Sequence, residues 1–215
     1  MNDLLARIAE RIVEGDEQNV PQLVEEALAQ GLAARQILEQ GLLAGMDQIG
    51  QCFSAGECFV PEMLMAAETF KKGLTLLEPH LVTQGVAPQA TVAVATVHGD
   101  LHDIGKNLLA IMLSGSGFEV VDLGFNVPVE RVVETCQQRQ VDVVGLSALL
   151  TTTMGQMPKV VEALAQAVPS PPPVIVGGAP VNAAFAERIG AAGYGRDAVE
   201  GAQLAKKLCF NHVDG

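Results

Sequence analysis

A chain of 215 residues holds one large domain or two small ones, and 49% hydrophobic against 18% charged residues excludes disorder as its default state. The formal net charge of −12 argues against nucleic-acid and anionic-membrane binding, both of which need clustered Lys and Arg. Residues 1–7 read as an acidic helix start rather than a basic signal peptide, and no apolar run reaches the ~18 residues of a membrane span, so the expected location is the cytoplasm.

Residues 1 to about 83 carry apolar side chains at helical spacing only. Leu4, Leu5, Ile8, Ile12 and Val13 mark a first helix, broken at Gly15 and Asp16. Pro21 suits the first turn of a second, which carries Leu23, Val24, Ala27 and Leu28 and ends at Gly31. Ile37, Leu38, Leu42, Leu43, Met46 and Ile49 mark a third. A fourth starts near Pro61 and runs through Met63, Leu64, Ala67, Phe70, Leu74 and Leu77. Four helices with short connections predict a bundle. Residues 84–89, polar with Gly85 and Pro88, predict a linker between a 1–83 and a 90–215 domain.

Beyond the linker, strands are expected near 90–97, 118–123, 141–147 and 173–177, with a short fifth near 192–195. Helices are expected near 105–116, 128–139, 153–167, 180–190 and 197–209, and the tail 211–215 is expected to be disordered. The β-branched runs at 141–146 and 174–176 lack alternation, as strands covered on both faces do. The fold class is therefore α/β: a four-helix bundle cap, then a flavodoxin-like (Rossmann-like) doubly wound parallel five-stranded sheet of order 2-1-3-4-5. Such sheets bind ligands at the carboxyl ends of their strands, here around the switch point between strands 1 and 3.

His102 lies in the turn after strand 1, between Asp100, Asp103 and Gly105. Asp100 stands where a carboxylate can orient the imidazole of a metal ligand. Gly105 lets the backbone approach something bulky. Ser147 ends strand 3, and Gly177 and Gly178 end strand 4, so all three pieces fall at one sheet edge. Each has a bland reading alone: a solvated loop histidine, a serine that ends a strand, a glycine turn. His98 ends its strand and reads as structural. Cys52, Cys58, Cys136 and Cys209 show neither CxxC nor paired zinc spacing, so reduced, buried thiols are expected.

Taken together, Asp100-x-His102-x-x-Gly105, then Ser147-x-Leu149 after 41 intervening residues, then Gly177-Gly178 after 27 more, resemble the cobalamin-binding signature. That signature is shared by the corrinoid domain of methionine synthase, cobalamin-dependent mutases, and the corrinoid proteins of methanol, methylamine and methoxy-aromatic methyltransferase systems. The threonine run at 151–153 and the helical first 85 or so residues resemble the methyl-transfer branch. The resemblance implies cobalamin as cofactor and His102 as lower axial ligand of cobalt, replacing the corrinoid's own benzimidazole. It implies that Asp100 bonds the distal ring nitrogen, that the displaced nucleotide tail enters a slot beside the sheet, and that Ser147 bonds its base. Leu149 would line the slot, and Gly177 and Gly178 would leave room for the tail. Thr151 and Thr152 would face polar corrin side chains and phosphate, or belong to a plain N-cap cluster. Asp103 would cap the following helix beside the cofactor, and Tyr194 would lie near the nucleotide end. In the cap, residues 56–67 resemble the segment over the upper corrin face, with Phe59, Met63 and Met65 as contacts; a Met-rich apolar face is also ordinary core.

The implied function is a methyl carrier that binds cobalamin base-off/His-on and alternates between Co(I) and methyl-Co(III). Its partners would be a substrate-specific corrinoid methyltransferase, a second methyltransferase with tetrahydrofolate or coenzyme M as acceptor, and a reductive activase. The chain shows no zinc motif, catalytic triad or P-loop, so no catalytic residue is expected in it. The alternative is a cobalamin-dependent sensor. A mutase subunit would lack the helical cap and the threonine run, and a flavodoxin-like binder of another ligand would leave the three-part spacing unexplained.

Overall fold

The structure, a computed structural model, describes residues 2–86, 88 and 90–210. Ala87 and Gln89 of the expected linker and the whole expected disordered tail, 211–215, lie outside the described residues. Contacts divide the chain into two compact units, one of residues 1–88 with 115–117 and one of residues 89–114 with 118–215. Among the described residues no helix is long and apolar enough to cross a membrane.

The first unit is helical: α1 (Asn2–Val13), α2 (Asn19–Ala29), α3 (Ala34–Ile37), α4 (Ala44–Ser54) and α5 (Val60–Thr83). Gly15 and Gly31 close α1 and α2 at φ +69° and +80°, a backbone region that L side chains rarely enter. The expected third helix is one helix with a wide turn in it, because α3 runs through a π-helical segment, Leu38–Leu43, into α4. The bundle is tight where small residues meet: a Cβ on Gly45 would lie 2.6 Å from Ile12 Cβ, which lets α4 press against α1. The Glu62 carboxylate accepts the Phe59 N–H at 3.1 Å and sets the start of α5, with Pro61 in its first turn. Met63, Ala66, Phe70, Gly73, Leu77 and Leu81 form the buried stripe of that helix.

The second unit alternates strand and helix: β1 (Thr91–Thr96), α6 (Ile104–Ser114), β2 (Glu119–Asp122), α7 (Val129–Gln138), β3 (Val143–Ser147), α8 (Met157–Ala167), β4 (Val174–Gly177), α9 (Ala183–Arg188), β5 (Gly193–Gly195) and α10 (Ala198–Phe210). The five strands pair in parallel in the order β2-β1-β3-β4-β5, as their β-branched, non-alternating sequences predict. Ala93, Ala95, Leu146, Val174 and Val176 pack with Val132 of α7 and Met157, Val160 and Leu164 of α8. Leu109 of α6 fills the hollows over two glycines, since a Cβ on Gly145 or Gly201 would come within 3.1 or 3.0 Å of its methyls. Two helices are shorter than their apolar spacing predicts. The helix expected from 153 begins at Met157, after a 3₁₀ turn at Met154–Gln156. The one expected over 180–190 spans Ala183–Arg188, because the Asn182 side chain accepts the Phe185 N–H at 2.9 Å and starts it late.

Candidate functional site

Register brings Thr96 at the end of β1 opposite Ser147 at the end of β3, and Ser147 opposite Gly177 at the end of β4. The turns after these strands therefore meet at one edge, and Asp100 is their hub. It is fully buried, a position that demands partners for a carboxylate. Its Oδ1 accepts the His102 main-chain N–H at 3.1 Å and faces His102 Nδ1 at 2.7 Å. Its Oδ2 accepts the N–H groups of Leu149 and Leu150, at 2.8 and 3.3 Å, and the Thr153 hydroxyl at 2.6 Å. Burial alone would raise its pKa. The bonds from the Thr153 hydroxyl, the Leu149 N–H and His102 outweigh burial and hold the carboxyl well below the usual carboxylate range. An ionised carboxylate only accepts, so the ring proton of His102 sits on Nδ1. Nε2 is then the free lone pair, on a side chain 53% exposed. The exposed apolar side chains Leu101, Ile104, Leu149 and Leu150 lie on the turns either side of this pair.

Beside the hub a cleft of about 130 Å³ opens over the ends of β3 and β4, with α6 and α10 along its sides. Its floor is apolar, from Leu109, Leu146, Ile175 and Val176, and Ser147 lies in its lining. Five glycines line it: Gly105, Gly177, Gly178, Gly195 and Gly201. Two are needed by the backbone. Gly178 has φ +118° and a Cβ there would stand 1.9 Å from the Ala148 carbonyl oxygen, while one on Gly195 would stand 2.8 Å from Gly201 Cα. Gly105 is different: within 4 Å its Cβ would meet only Ser147 Oγ, at 3.7 Å, so the fold does not require glycine there and a side chain would fill the cleft.

A lone imidazole and an adjoining slot are the observation to set beside known proteins. Residues 90–203 match the family model of a B12 binding domain, and residues 4–78 match a second B12 binding domain model. A dimethylamine corrinoid protein of Methanosarcina acetivorans is 38% identical over 95% of this chain and 96% of its own. The crystal structure of a cobalamin-binding protein from Desulfitobacterium hafniense superposes with a TM-score of 0.80 at 33% identity, covering 95% of this chain and 98% of that one. The chain belongs to the B12-binding corrinoid proteins. A chain of the methanol:cobalamin methyltransferase complex of Methanosarcina barkeri superposes with a TM-score of 0.85 at 29% identity, over 96% of this corrinoid protein and 80% of that chain. The cofactor that the family assigns is a cobalamin-type corrinoid, and the residues present fit one. Among the described residues no group of three or more His, Cys, Asp or Glu side chains can hold a metal ion. A single oriented imidazole suits a metal whose other ligands arrive with it, in a macrocycle, and the glycine-lined cleft suits a flat appendage of that macrocycle.

The structure brings Asp100, His102, Gly105, Ser147, Gly177 and Gly178 of this corrinoid protein to one sheet edge, as their spacing predicts. Asp103 meets the next helix through its carbonyl, which accepts the Asn107 N–H at 2.8 Å, rather than through the expected side-chain cap. Leu149 is not in the cleft wall; it lies past the end of β3, lends its N–H to Asp100, and leaves its side chain exposed, while Leu146 takes the wall position. Thr151 and Thr152 are exposed on the same turn. Tyr194 is also not at the cleft. Strand alternation turns it to the opposite face, against the Val174–Val176 core, because Gly193 and Gly195 face α10. Of the helical-unit candidates, Phe59 and Met65 are exposed, but Met63 is fully buried in the α5 stripe and belongs to packing. Sequence reasoning missed Thr153 as a partner of Asp100, and it missed Arg196 and Ala198 in the cleft lining. The threonine run was the signal for the first. Only the fold says that the third threonine of the run is the buried one.

Proposed function

We propose that the chain is a methyl carrier that holds cobalamin base-off/His-on and serves a methyltransferase system. The observation that carries this reading is the Asp100–His102 pair, which leaves one imidazole nitrogen free on the turn that leads into Gly105 of a glycine-lined cleft. His102 Nε2 would be the lower axial ligand, and the displaced nucleotide tail would occupy the cleft, its base against Ser147 and over Gly105. When bound, the corrinoid supplies a cobalt centre able to accept and release a methyl group. Asp100 keeps the proton on Nδ1, fixes the ring plane, and raises the basicity of Nε2 as carboxylates do for metal-bound histidines.

The methyl group would enter from one methyltransferase and leave through a second, with tetrahydrofolate or coenzyme M as acceptor, and a reductive activase would restore the reduced cobalt. Support comes from the dimethylamine corrinoid relative and from the methanol:cobalamin methyltransferase complex, which share this architecture and differ in methyl donor. Donor choice thus belongs to the partner enzyme. A cobalamin-dependent sensor is the competing reading. To separate them, protein reconstituted with hydroxocobalamin is reduced, treated with radiolabelled methyl iodide and passed through a desalting column. A carrier elutes with one label per corrinoid and surrenders it to coenzyme M or tetrahydrofolate when the matching methyltransferase is added. A label that no acceptor enzyme removes, together with tighter binding of adenosylcobalamin than of methylcobalamin, would exclude the carrier role.

A further inference from the structure

The Asp100 carboxylate holds the His102 turn from the β3 side. A second support reaches it from the opposite side, through the turn after β2. Asn126 is the one residue other than glycine with positive φ among the described residues, at +53°. In that conformation it makes two bonds to the residues just before His102. Its main-chain N–H donates to the Asp100 carbonyl at 2.9 Å, and its side-chain Oδ1 accepts the Gly99 N–H at 2.8 Å. Asn tolerates left-handed backbone better than other residues with a Cβ, and its short amide reaches local main-chain groups.

The turn carrying Asn126 is itself anchored in the interior. Lys106, on α6 one helical turn past His102, is 2% exposed, and its ammonium donates to Asp122 Oδ2 and Asn107 Oδ1, each at 2.5 Å. The other oxygen of Asp122 accepts the Gly124 N–H at 2.8 Å, and the Gly124 carbonyl accepts the Thr96 N–H at 3.0 Å. The Thr96 hydroxyl in turn donates to the His102 carbonyl at 3.1 Å. A buried cation is costly unless it is paired and hydrogen-bonded, and Lys106 meets that demand through Asp122, at the foot of the turn that carries Asn126. We infer that Asn126 is a positioning residue for His102, clamping the 99–100 main chain so that the imidazole stands ready for an axial metal bond without reorganisation.

This rests on the His-on reading above, and the test separates the two. Asn126→Gly keeps the backbone conformation and deletes the side-chain acceptor; Asn126→Asp keeps both. Each protein is loaded with cob(II)inamide, which lacks the benzimidazole that could itself supply an axial nitrogen, and the fraction whose electron paramagnetic resonance spectrum carries axial-nitrogen splitting is read under conditions where half of the wild type carries it. His102→Ala serves as the unligated reference. The ratio of ligated to unligated cobalt should fall about three- to tenfold in Asn126→Gly, the size of one hydrogen bond lost, with Asn126→Asp restored close to the wild type. Circular dichroism of the apo proteins should show all three folded, so that a general loss of structure does not imitate the effect. A ratio unchanged in Asn126→Gly, or lowered equally in Asn126→Asp, overturns the positioning role while leaving His102 as ligand. Splitting that is absent from the wild type, or that survives in His102→Ala, overturns both.

Discussion

Asp100 shows how much one buried side chain decides. Five donors converge on its two oxygens, and together they reverse the effect of burial. Because the folded pKa is depressed, its ionised form stabilises the fold above the ordinary carboxylate range, and that stabilisation drains away as pH falls through that range toward the depressed folded value. Replacing Asp100 by Asn should therefore flatten the acid side of the apo protein's stability–pH curve, as measured by urea unfolding at a series of pH values. Thr153→Val should cost about 1.5–3 kcal/mol, the usual worth of a hydrogen bond to a charged group, and lower Tm by several degrees, whereas Thr153→Ser should lose little. Burial pushes the Cys136 thiol up to about 11. Its alkylation at pH 8 should thus run roughly a hundredfold slower than in the urea-unfolded chain, since only the thiolate reacts, which mass spectrometry of iodoacetamide-treated protein can time.

At the scale of elements, glycine does two kinds of work around the cleft. Gly178 is fixed by its own neighbours, with the Ala148 carbonyl where a Cβ would be. Gly178→Ala should destabilise by about 3 kcal/mol or more, through strain and backbone displacement, visible as a large Tm loss in the absence of any corrinoid. Gly105 has open cleft beside it. Gly105→Val should keep a Tm within a few degrees of the parent yet fail to retain hydroxocobalamin on gel filtration. Strand placement was legible because buried parallel strands are nearly pure Val, Ile and Leu, and a run such as 141–146 has no other stable use. Helix boundaries were less legible. The start of α9 depends on one Asn182 hydrogen bond, and the start of α8 is delayed by the turn that delivers Thr153 to Asp100. The orientation of Tyr194 was not legible, because the resemblance implies only that it lies near the nucleotide end and a three-residue strand between glycines carries too short an alternation to assign a face.

For the whole molecule, the order β2-β1-β3-β4-β5 puts the switch point between β1 and β3, where the Asp100–His102 turn leaves the sheet, while the cleft itself lies over the ends of β3 and β4. Sites separated by tens of residues in sequence are thereby brought within hydrogen-bond reach, and three short motifs become one binding edge. That edge was readable because the motifs fall at strand ends. Its partners Thr153, Asn126 and Arg196 were not, since each acts through a single turn geometry that has no repeating sequence signal. The two matches to B12-binding models, over 4–78 and 90–203, account for most of the chain. The most direct measurement is the visible absorption spectrum of the protein incubated anaerobically with hydroxocobalamin and freed of excess cofactor, compared with His102→Ala treated alike. Retained corrin absorption with a histidine-ligated spectrum in the parent, replaced by an unligated or lost spectrum in the variant, is the predicted result. Identical spectra in the two folded proteins, or no retained corrin in the parent, would contradict the assignment of His102 as the axial ligand.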